Sequence, residues 1–283
     1  EDTLSLHDAL PICEYQDATD RRFHAQPNAC SQCGPKVWLE DKWGNEPTAE
    51  HDAIDAIEAA ANLLKRGKIV AIKGIGGFHL ACAATNDKAV ATLRQRKKRF
   101  EKPFALMARD LDLIKSYCLV STAEESLLKS HEAPIVLLEQ KKVVTRKELS
   151  DAVAPKQTTL GFMLPYSPLH HLLLQNLNIP IVLTSGNLSE EPQCIENDEA
   201  KEYLGQIADF FLLHNRAIVN RLDDSVVRAN DAGFEVLRRA RGYAPTPIKL
   251  PPGFEAASGV LALGAELKNT FCLLQNNSAI MSQ

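Results

Sequence analysis

The chain has 283 residues, 45% of them hydrophobic and 24% charged, with a net charge of −4. That balance excludes a general nucleic-acid binder, in which cations dominate the surface, and no apolar run approaches the ~20 residues of a membrane-spanning helix. The seven cysteines fall mostly inside apolar runs (Cys82, Cys118, Cys272), which fits buried free thiols in a reducing cytoplasm rather than a disulfide framework.

Residues 1–12 (EDTLSLHDALPI) have no hydrophobic period and do not resemble the rest of the chain, so they are expected to be a non-native extension. From Cys13 the character changes. Cys30-Ser-Gln-Cys33 followed by Gly-Pro has the tight turn in which two thiolates grip one metal ion, and Cys13 offers a third thiolate upstream. A structural zinc needs a fourth ligand. A second Cys-x-x-Cys would begin at position 10, where Leu10 stands; His24 could substitute, but its place in Arg-Arg-Phe-His reads equally well as a surface or packing role. Residues 13–47 therefore read as a partial zinc-ribbon segment and linker, with an incomplete zinc half-site at Cys13, Cys30 and Cys33.

Thr48 is expected to open a helix carrying Ile54, Ile57, Ala61 and Leu64 at helical spacing, stopped by Gly67. Lys68 to Gly74 is a β-branched apolar run, a buried strand feeding a loop with Gly74, Gly76 and Gly77, and His79 comes directly after it. Those glycines let the backbone bend or approach a ligand closely. Thr85-Asn86-Asp87 caps a helix with Ala89, Val90 and Leu93 on its apolar face. It ends in Arg94, Arg96, Lys97, Lys98 and Arg99, five cations in six residues. A glycine loop and a dense cationic cluster on one α/β unit suit an anionic ligand such as a nucleotide phosphate. A solvated basic helix end, favoured by the helix dipole, is the alternative.

Lys102 to Met107 reads as a strand, and two short helices come next, the second opened by the Ser121-x-x-Glu124 capping box. Pro134 to Leu138 is a strand, and 140–157 is polar enough for an exposed loop. Thr159 to Leu164 is a strand, and Pro168 starts a helix through Leu177. His170 and His171 are adjacent and cannot share one face of it. Pro180 to Asn187 is a buried strand ending in short polar side chains of the kind that line ligand crevices in α/β folds. An acidic helix to about Gly205, a strand over 209–213, and an antiparallel pair around a 230–233 turn complete the unit. After a Pro/Gly linker, Val260 onward begins something whose two or three strands cannot close a core by themselves.

Several of these stretches together carry a resemblance. Arg21-Arg-Phe-His-Ala-Gln-Pro-x-x-Cys-x-x-Cys-Gly-Pro, Lys73-Gly-x-Gly-Gly-Phe-His-Leu-Ala-Cys and Arg96-Lys-x-Arg-x-x-Lys-Pro-Phe-Ala resemble the HypF family of hydrogenase-maturation carbamoyltransferases. So do Leu164-Pro-Tyr-x-Pro-Leu-His-His-Leu, Thr184-Ser-Gly-Asn-Leu-Ser, Asp223-Asp-Ser-Val-Val-Arg and Arg238-Arg-Ala-Arg-Gly-Tyr-Ala-Pro. HypF proteins carry an acylphosphatase domain, paired zinc fingers, a YrdC-like domain and a carbamoyl-transfer domain, in that order. The resemblance implies an α/β fold: a YrdC-like domain over 48–250, a twisted mixed sheet with flanking helices. Residues 251–283 would be a linker and the truncated start of the transfer domain.

It also implies an activity. Carbamate derived from carbamoyl phosphate is joined to ATP, accompanied by Mg2+, giving carbamoyl-adenylate and pyrophosphate. The carbamoyl group then passes to the C-terminal cysteine of HypE in nickel–iron hydrogenase maturation. The family's Lys-x-Arg motif falls on Lys97 and Arg99, which would hold the α-phosphate and offset charge as pyrophosphate leaves, with Lys102 just beyond. Ser185 and Asn187 match its Ser-x-Asn motif, and Lys73, Ser225 and Arg238 match further nucleotide-contacting positions. His79 falls where the small substrate is lined, so it is expected to orient carbamate. Two other readings stay open: a threonylcarbamoyl-adenylate synthase of the YrdC type acting in tRNA modification, and a non-catalytic RNA-binding module with a basic groove.

Overall fold

The structure, a computed structural model, describes residues 35–47, 55–143, 146–188, 191–265 and 269–282. Cys13, His24, Cys30 and Cys33 lie outside the described residues, as does the 48–54 opening of the first expected helix.

Local chemistry decides where each element begins and stops. After β1 (Val37–Asp41), helix α1 (Ala56–Lys65) starts from Asp55, whose carboxylate accepts from the Ile57 and Glu58 amides. Gly67, at φ +78°, turns the chain out of it. The β-branched run becomes β2 (Val70–Lys73), and β3 (Phe78–Ala83) succeeds it; both are buried along their whole length. Asn86 caps α2 (Asp87–Arg96) by accepting from the Ala89 amide at 3.0 Å. Next come β4 (Ala105–Met107), α3 (Leu111–Lys115), α4 (Thr122–Leu128) with its Ser121–Glu124 capping box, β5 (Ile135–Glu139) and β6 (Thr159–Met163). Then α5 (Pro168–Leu174), β7 (Ile181–Ser185), α6 (Asn197–Leu204), β8 (Phe210–His214), β9 (Val226–Asn230) and β10 (Gly233–Arg238) complete the larger unit.

These ten strands form one mixed, twisted sheet in the order β1-β8-β2-β3-β7-β4-β6-β5-β9-β10. The period-2 alternation of its strands sends side chains to two separate cores. Phe78, Leu80 and Cys82 pack on one side with Ala89, Val90 and Leu93 of α2 and with α3, α4 and α6. Ala81, Ile72 and Leu183 pack on the other with α1 and α5. His79 pairs with Ser185 across the antiparallel β3–β7 ladder, so both side chains stand on the α1/α5 side. The register of two strands thus joins a motif at the start of β3 to one at the end of β7.

Three stretches differ from the sequence reading. Val37–Asp41, within the segment read as finger and linker, is an edge strand paired antiparallel with β8. The 140–157 stretch is not wholly exposed: Ser150 and Val153 are buried, and the Val153 carbonyl accepts from the Phe104 amide. The 245–259 linker contributes β11 (Ile248–Lys249), which pairs with β14 (Ser278–Met281). With β12 (Leu261–Leu263) and β13 (Phe271–Gln275) these make a second, four-stranded antiparallel sheet, ordered β11-β14-β13-β12. Its strand β12 is exposed throughout. Among the described residues no helix is long and apolar enough to cross a membrane.

Candidate active site

Lys97 ends α2 with its side chain turned inward, 1% exposed. Its ammonium donates to the carbonyl oxygens of Ser185 (2.7 Å) and Asn187 (2.5 Å) and to Asn187 Oδ1 (2.8 Å). Ser185 Oγ donates to the same Oδ1 at 2.7 Å, and Asn187 Nδ2 donates to the Glu191 carbonyl at 2.6 Å. A buried ammonium costs several kcal/mol unless it is compensated, and three oxygens supply that compensation. The Lys-x-Arg and Ser-x-Asn motifs are therefore in direct contact.

Arg99 diverges from Lys97 because Lys98 takes a left-handed φ of +53° and reverses the chain. The Arg99 amide returns to the Arg94 carbonyl at 3.0 Å, closing the helix end in the manner of a Schellman turn. Burial, with Arg94 and Arg238 nearby, brings the Arg99 guanidinium down to about 10. Cations gathered this closely repel, and an anion between them would relieve the repulsion. Arg238, anchored through Nε to the Asp224 carbonyl at 2.7 Å, lines a cavity of about 370 Å³ together with Ser185, Asn187, Gln193 and Arg221. Asn269, Thr270, Met281 and Ser282 of the second sheet line it too.

His79 belongs to a buried polar cluster. Its Nε2 lies 3.5 Å from Asp224 Oδ2 and 3.5 Å from the Tyr166 hydroxyl, while Nδ1 is buried with no hydrogen-bond partner. Arg241 pairs with Asp224 at 3.0 Å, stacks over the Tyr166 ring at 3.5 Å, and donates to the carbonyls of Glu132 and Ala133. Burial alone would raise the Asp224 carboxyl. Hydrogen bonding to His79 and the charges of His79 and Arg241 outweigh that and hold it well below the usual carboxylate range. An anionic Asp224 favours a proton on His79 Nε2, the ring nitrogen that faces it. His170 closes the cluster edge-on to Tyr166, 4.5 Å between ring centroids, with neither ring nitrogen hydrogen-bonded. Burial, then the neighbouring His79, pushes it down to about 3, so it is neutral. His171 points out to solvent, as adjacency on a helix requires.

The remaining expected site residues scatter. Lys73 is buried and donates to the His214 carbonyl at 3.2 Å, away from the residues that line the cavity. Ser225 does not face the cavity either: its hydroxyl donates to the Arg241 carbonyl (2.9 Å) and accepts from the Ala240 amide (2.8 Å), tying β9 to the segment after β10. Lys102 is exposed, and its carbonyl accepts from both Arg94 and Arg99. The glycine loop is tight against protein. A Cβ at Gly76 would stand 2.4 Å from Leu222 Cβ, and one at Gly74 2.8 Å from His79 Nδ1.

Sequence reasoning gave no role to Tyr166, Asp224 or Arg241, and counted Arg94 only among the cations of the cluster. The first three lie inside the quoted motifs, but their partners are far away in the chain, and no local pattern marks the pairing. Among the described residues no group of three or more His, Cys, Asp or Glu side chains is placed to hold a metal ion.

A family profile described as telomere recombination, covering Sua5, YciO and YrdC proteins, matches residues 62–240. The chain belongs to the Sua5/YciO/YrdC family. A second profile, the HypF finger, matches residues 12–40. Within the Sua5/YciO/YrdC family the chain is similar to carbamoyltransferase HypF of Rhodobacter capsulatus, 51% identical over 281 residues, which is 99% of this chain and 36% of that protein. Among solved structures it is similar to full-length HypF in the phosphate- and nucleotide-bound form, with 52% identity and a TM-score of 0.84 over 95% of this chain and 34% of that one. Human threonylcarbamoyl-AMP synthase is more distant, 27% identical over 155 residues, 54% of each chain. The chain is thus a HypF-type member of the Sua5/YciO/YrdC family and spans about a third of the length of the HypF relatives it matches.

Proposed function

We propose that this chain carries the adenylating station of a HypF-type carbamoyltransferase. Carbamate, derived from carbamoyl phosphate, attacks the α-phosphorus of ATP. A carbamate oxygen bonds to that phosphorus, the bond to the α–β bridging oxygen breaks, and its electron pair leaves on pyrophosphate. The observation that carries this reading is the junction of two motifs at Lys97, whose ammonium fixes the Ser185–Asn187 loop that lines the cavity with Arg238. In this reading Arg99 and Arg238 meet the phosphate charge as it develops. Lys97 contributes by holding the loop and by its own buried charge.

His79 supplies the carbamate side. With Nε2 directed at Asp224, its Nδ1 can accept from the amino group of carbamate. The solved HypF relative in its phosphate- and nucleotide-bound form supports ATP as the nucleotide. Mg2+ would arrive on the ATP phosphates and keep most of its own waters, as this small cation does, rather than sit in a protein cage. Zinc at Cys13, Cys30 and Cys33 is supported by the finger profile over 12–40. Transfer to the C-terminal cysteine of HypE, in nickel–iron hydrogenase maturation and in the cytoplasm, completes the reading.

The RNA-binding alternative loses its basis in the cation cluster. Arg94 donates to the Ala152 carbonyl, Arg96 donates to the Ile207 carbonyl and to Asp209, and Lys97 is buried, so none of the three is directed at a phosphate backbone. The deciding experiment is exchange of labelled pyrophosphate into ATP, with carbamate supplied from ammonia and bicarbonate. Exchange that requires ammonia supports the reading. Exchange that requires L-threonine and bicarbonate instead would assign the threonylcarbamoyl-adenylate chemistry, and no exchange with either would refute adenylation by this chain.

A further inference from the structure

Arg94 sits inside the cationic cluster, and its guanidinium spends all its donor directions on main-chain oxygens. It is 8% exposed. Nε and Nη2 donate to the carbonyl of Ala152 (2.9 and 2.7 Å), and Nη2 also to that of Val153 (3.3 Å). Nη1 donates to the carbonyls of Arg99 (2.5 Å) and Lys102 (3.2 Å). These bonds account for the five N–H groups of an arginine. The guanidinium lies 4.4 Å from the centroid of the Phe104 ring, which Arg99 also approaches, at 5.3 Å. The Lys102 carbonyl accepts from Arg99 Nε as well, at 3.2 Å. Two guanidiniums that repel each other are thus held side by side through a shared oxygen and a shared ring.

We infer that Arg94 is a positioning residue for the nucleotide chemistry: it ties the 99–103 segment to the 152–153 segment and thereby sets where the Arg99 guanidinium stands. The inference rests on the adenylation reading above. Its physical content is that main-chain oxygens on two segments are bridged by one rigid, planar fork. Lysine, a compact charge on a flexible stem, cannot reproduce that bridge. Misplacing a charge-stabilising group by about 1 Å costs on the order of 100-fold in rate, so an intact Arg99 without Arg94 should be little better than no Arg99.

The test is a double-mutant cycle on pyrophosphate exchange by the full chain, with carbamate from ammonia and bicarbonate. Arg94→Met is expected to lower kcat by about 100-fold with a smaller change in the KM for ATP. Arg94→Lys should behave like Arg94→Met, and it carries the test if Arg94→Met folds poorly. The Arg94→Met/Arg99→Ala double variant should be no slower than Arg99→Ala alone, because Arg94 acts through Arg99. Losses that multiply in the double variant, or unchanged exchange in Arg94→Met, would overturn the inference. If the wild-type chain exchanges no pyrophosphate, the adenylation reading fails on its own. Amide hydrogen exchange across 99–104 then decides: it should quicken in the Arg94 variants and not in Arg99→Ala, and equal rates would overturn the positioning role.

Discussion

Lys97 Nζ and Asn187 Oδ1 lie 2.8 Å apart, and the Asn187 carbonyl accepts from the same ammonium. A helix end and a strand end separated by 90 positions are therefore latched by one buried cation.

The latch predicts that Lys97 and Arg99 differ in what they support. Lys97→Met leaves buried acceptors unpaired, at about 1–3 kcal/mol per group, so melting should fall by several degrees together with a loss of exchange of about 100- to 1,000-fold. Arg99→Ala should lose a similar factor in exchange with melting close to wild type. Ser185→Ala removes one neutral hydrogen bond, about 1 kcal/mol, and should cost roughly fivefold. Thermal unfolding and exchange measured on the same preparations check all three. Equal melting losses for Lys97→Met and Arg99→Ala would contradict the latch.

Asp224 should be the most sensitive position of the polar cluster. Asp224→Asn keeps the shape but leaves Arg241 without its carboxylate, and breaking a buried pair typically costs about 3–5 kcal/mol. The carboxyl is held below its ordinary value in the folded chain. Its stabilisation is therefore present above about pH 4 and lost as pH falls through the folded value. Denaturant melts below pH 4 should show a shallower acid dependence in Asp224→Asn than in wild type.

His170 acts in a different pH window. Its folded-state value of about 3 lies below the ordinary imidazole range because burial, His79, Arg241 and His171 disfavour its charge, with Asp224 opposing them. The unfolded chain then binds a proton that the folded chain does not. Stability should fall by up to about 1.4 kcal/mol per pH unit as pH drops below about 6.5, levelling off near the folded value. His170→Leu should flatten that slope, and urea melts between pH 7 and 4 would show it. An unchanged slope would mean that His170 finds a partner when protonated.

The second sheet should be dispensable for the stability of the first. Among the described residues, neither apolar core takes one from beyond Tyr243. Leu261, Leu263 and Phe271 are exposed on the second sheet, a surface liable to association. Removing residues 248–283 should leave the melting temperature within a few degrees and improve solubility, while weakening ATP binding where Asn269 and Thr270 line the cavity. A large drop in melting temperature would show that the tail completes the main fold.

Much of this was legible in the residues themselves. The 67–107 stretch announced its strand, its Asn86-capped helix and its returning strand, because caps, β-branched runs and helical spacing act within a few residues. The Lys-x-Arg and Ser-x-Asn motifs were legible through the family resemblance, and the fold brings the two into contact. Charge alone overstated the cluster, since a cation in a sequence shows its sign and not its acceptor. Arg94 and Arg96 read as candidate ligands for an anion, yet they donate to main-chain oxygens at Ala152 and Ile207.

What the sequence by itself determined was the identity of most elements of the larger sheet and the presence of the motifs. Only the tertiary structure decided which residues meet. His79 and Ser185 share a face through strand register, and Lys97 turns inward while Arg99 turns away because Lys98 adopts a left-handed conformation. Ser225, matched by motif to a nucleotide, spends its hydroxyl on the backbone at Ala240 and Arg241. The physical reason is the same in each case. Hydrogen bonds and ion pairs are short-ranged, and their partners are chosen by the folding of segments that are distant in the chain, which no local period or spacing encodes.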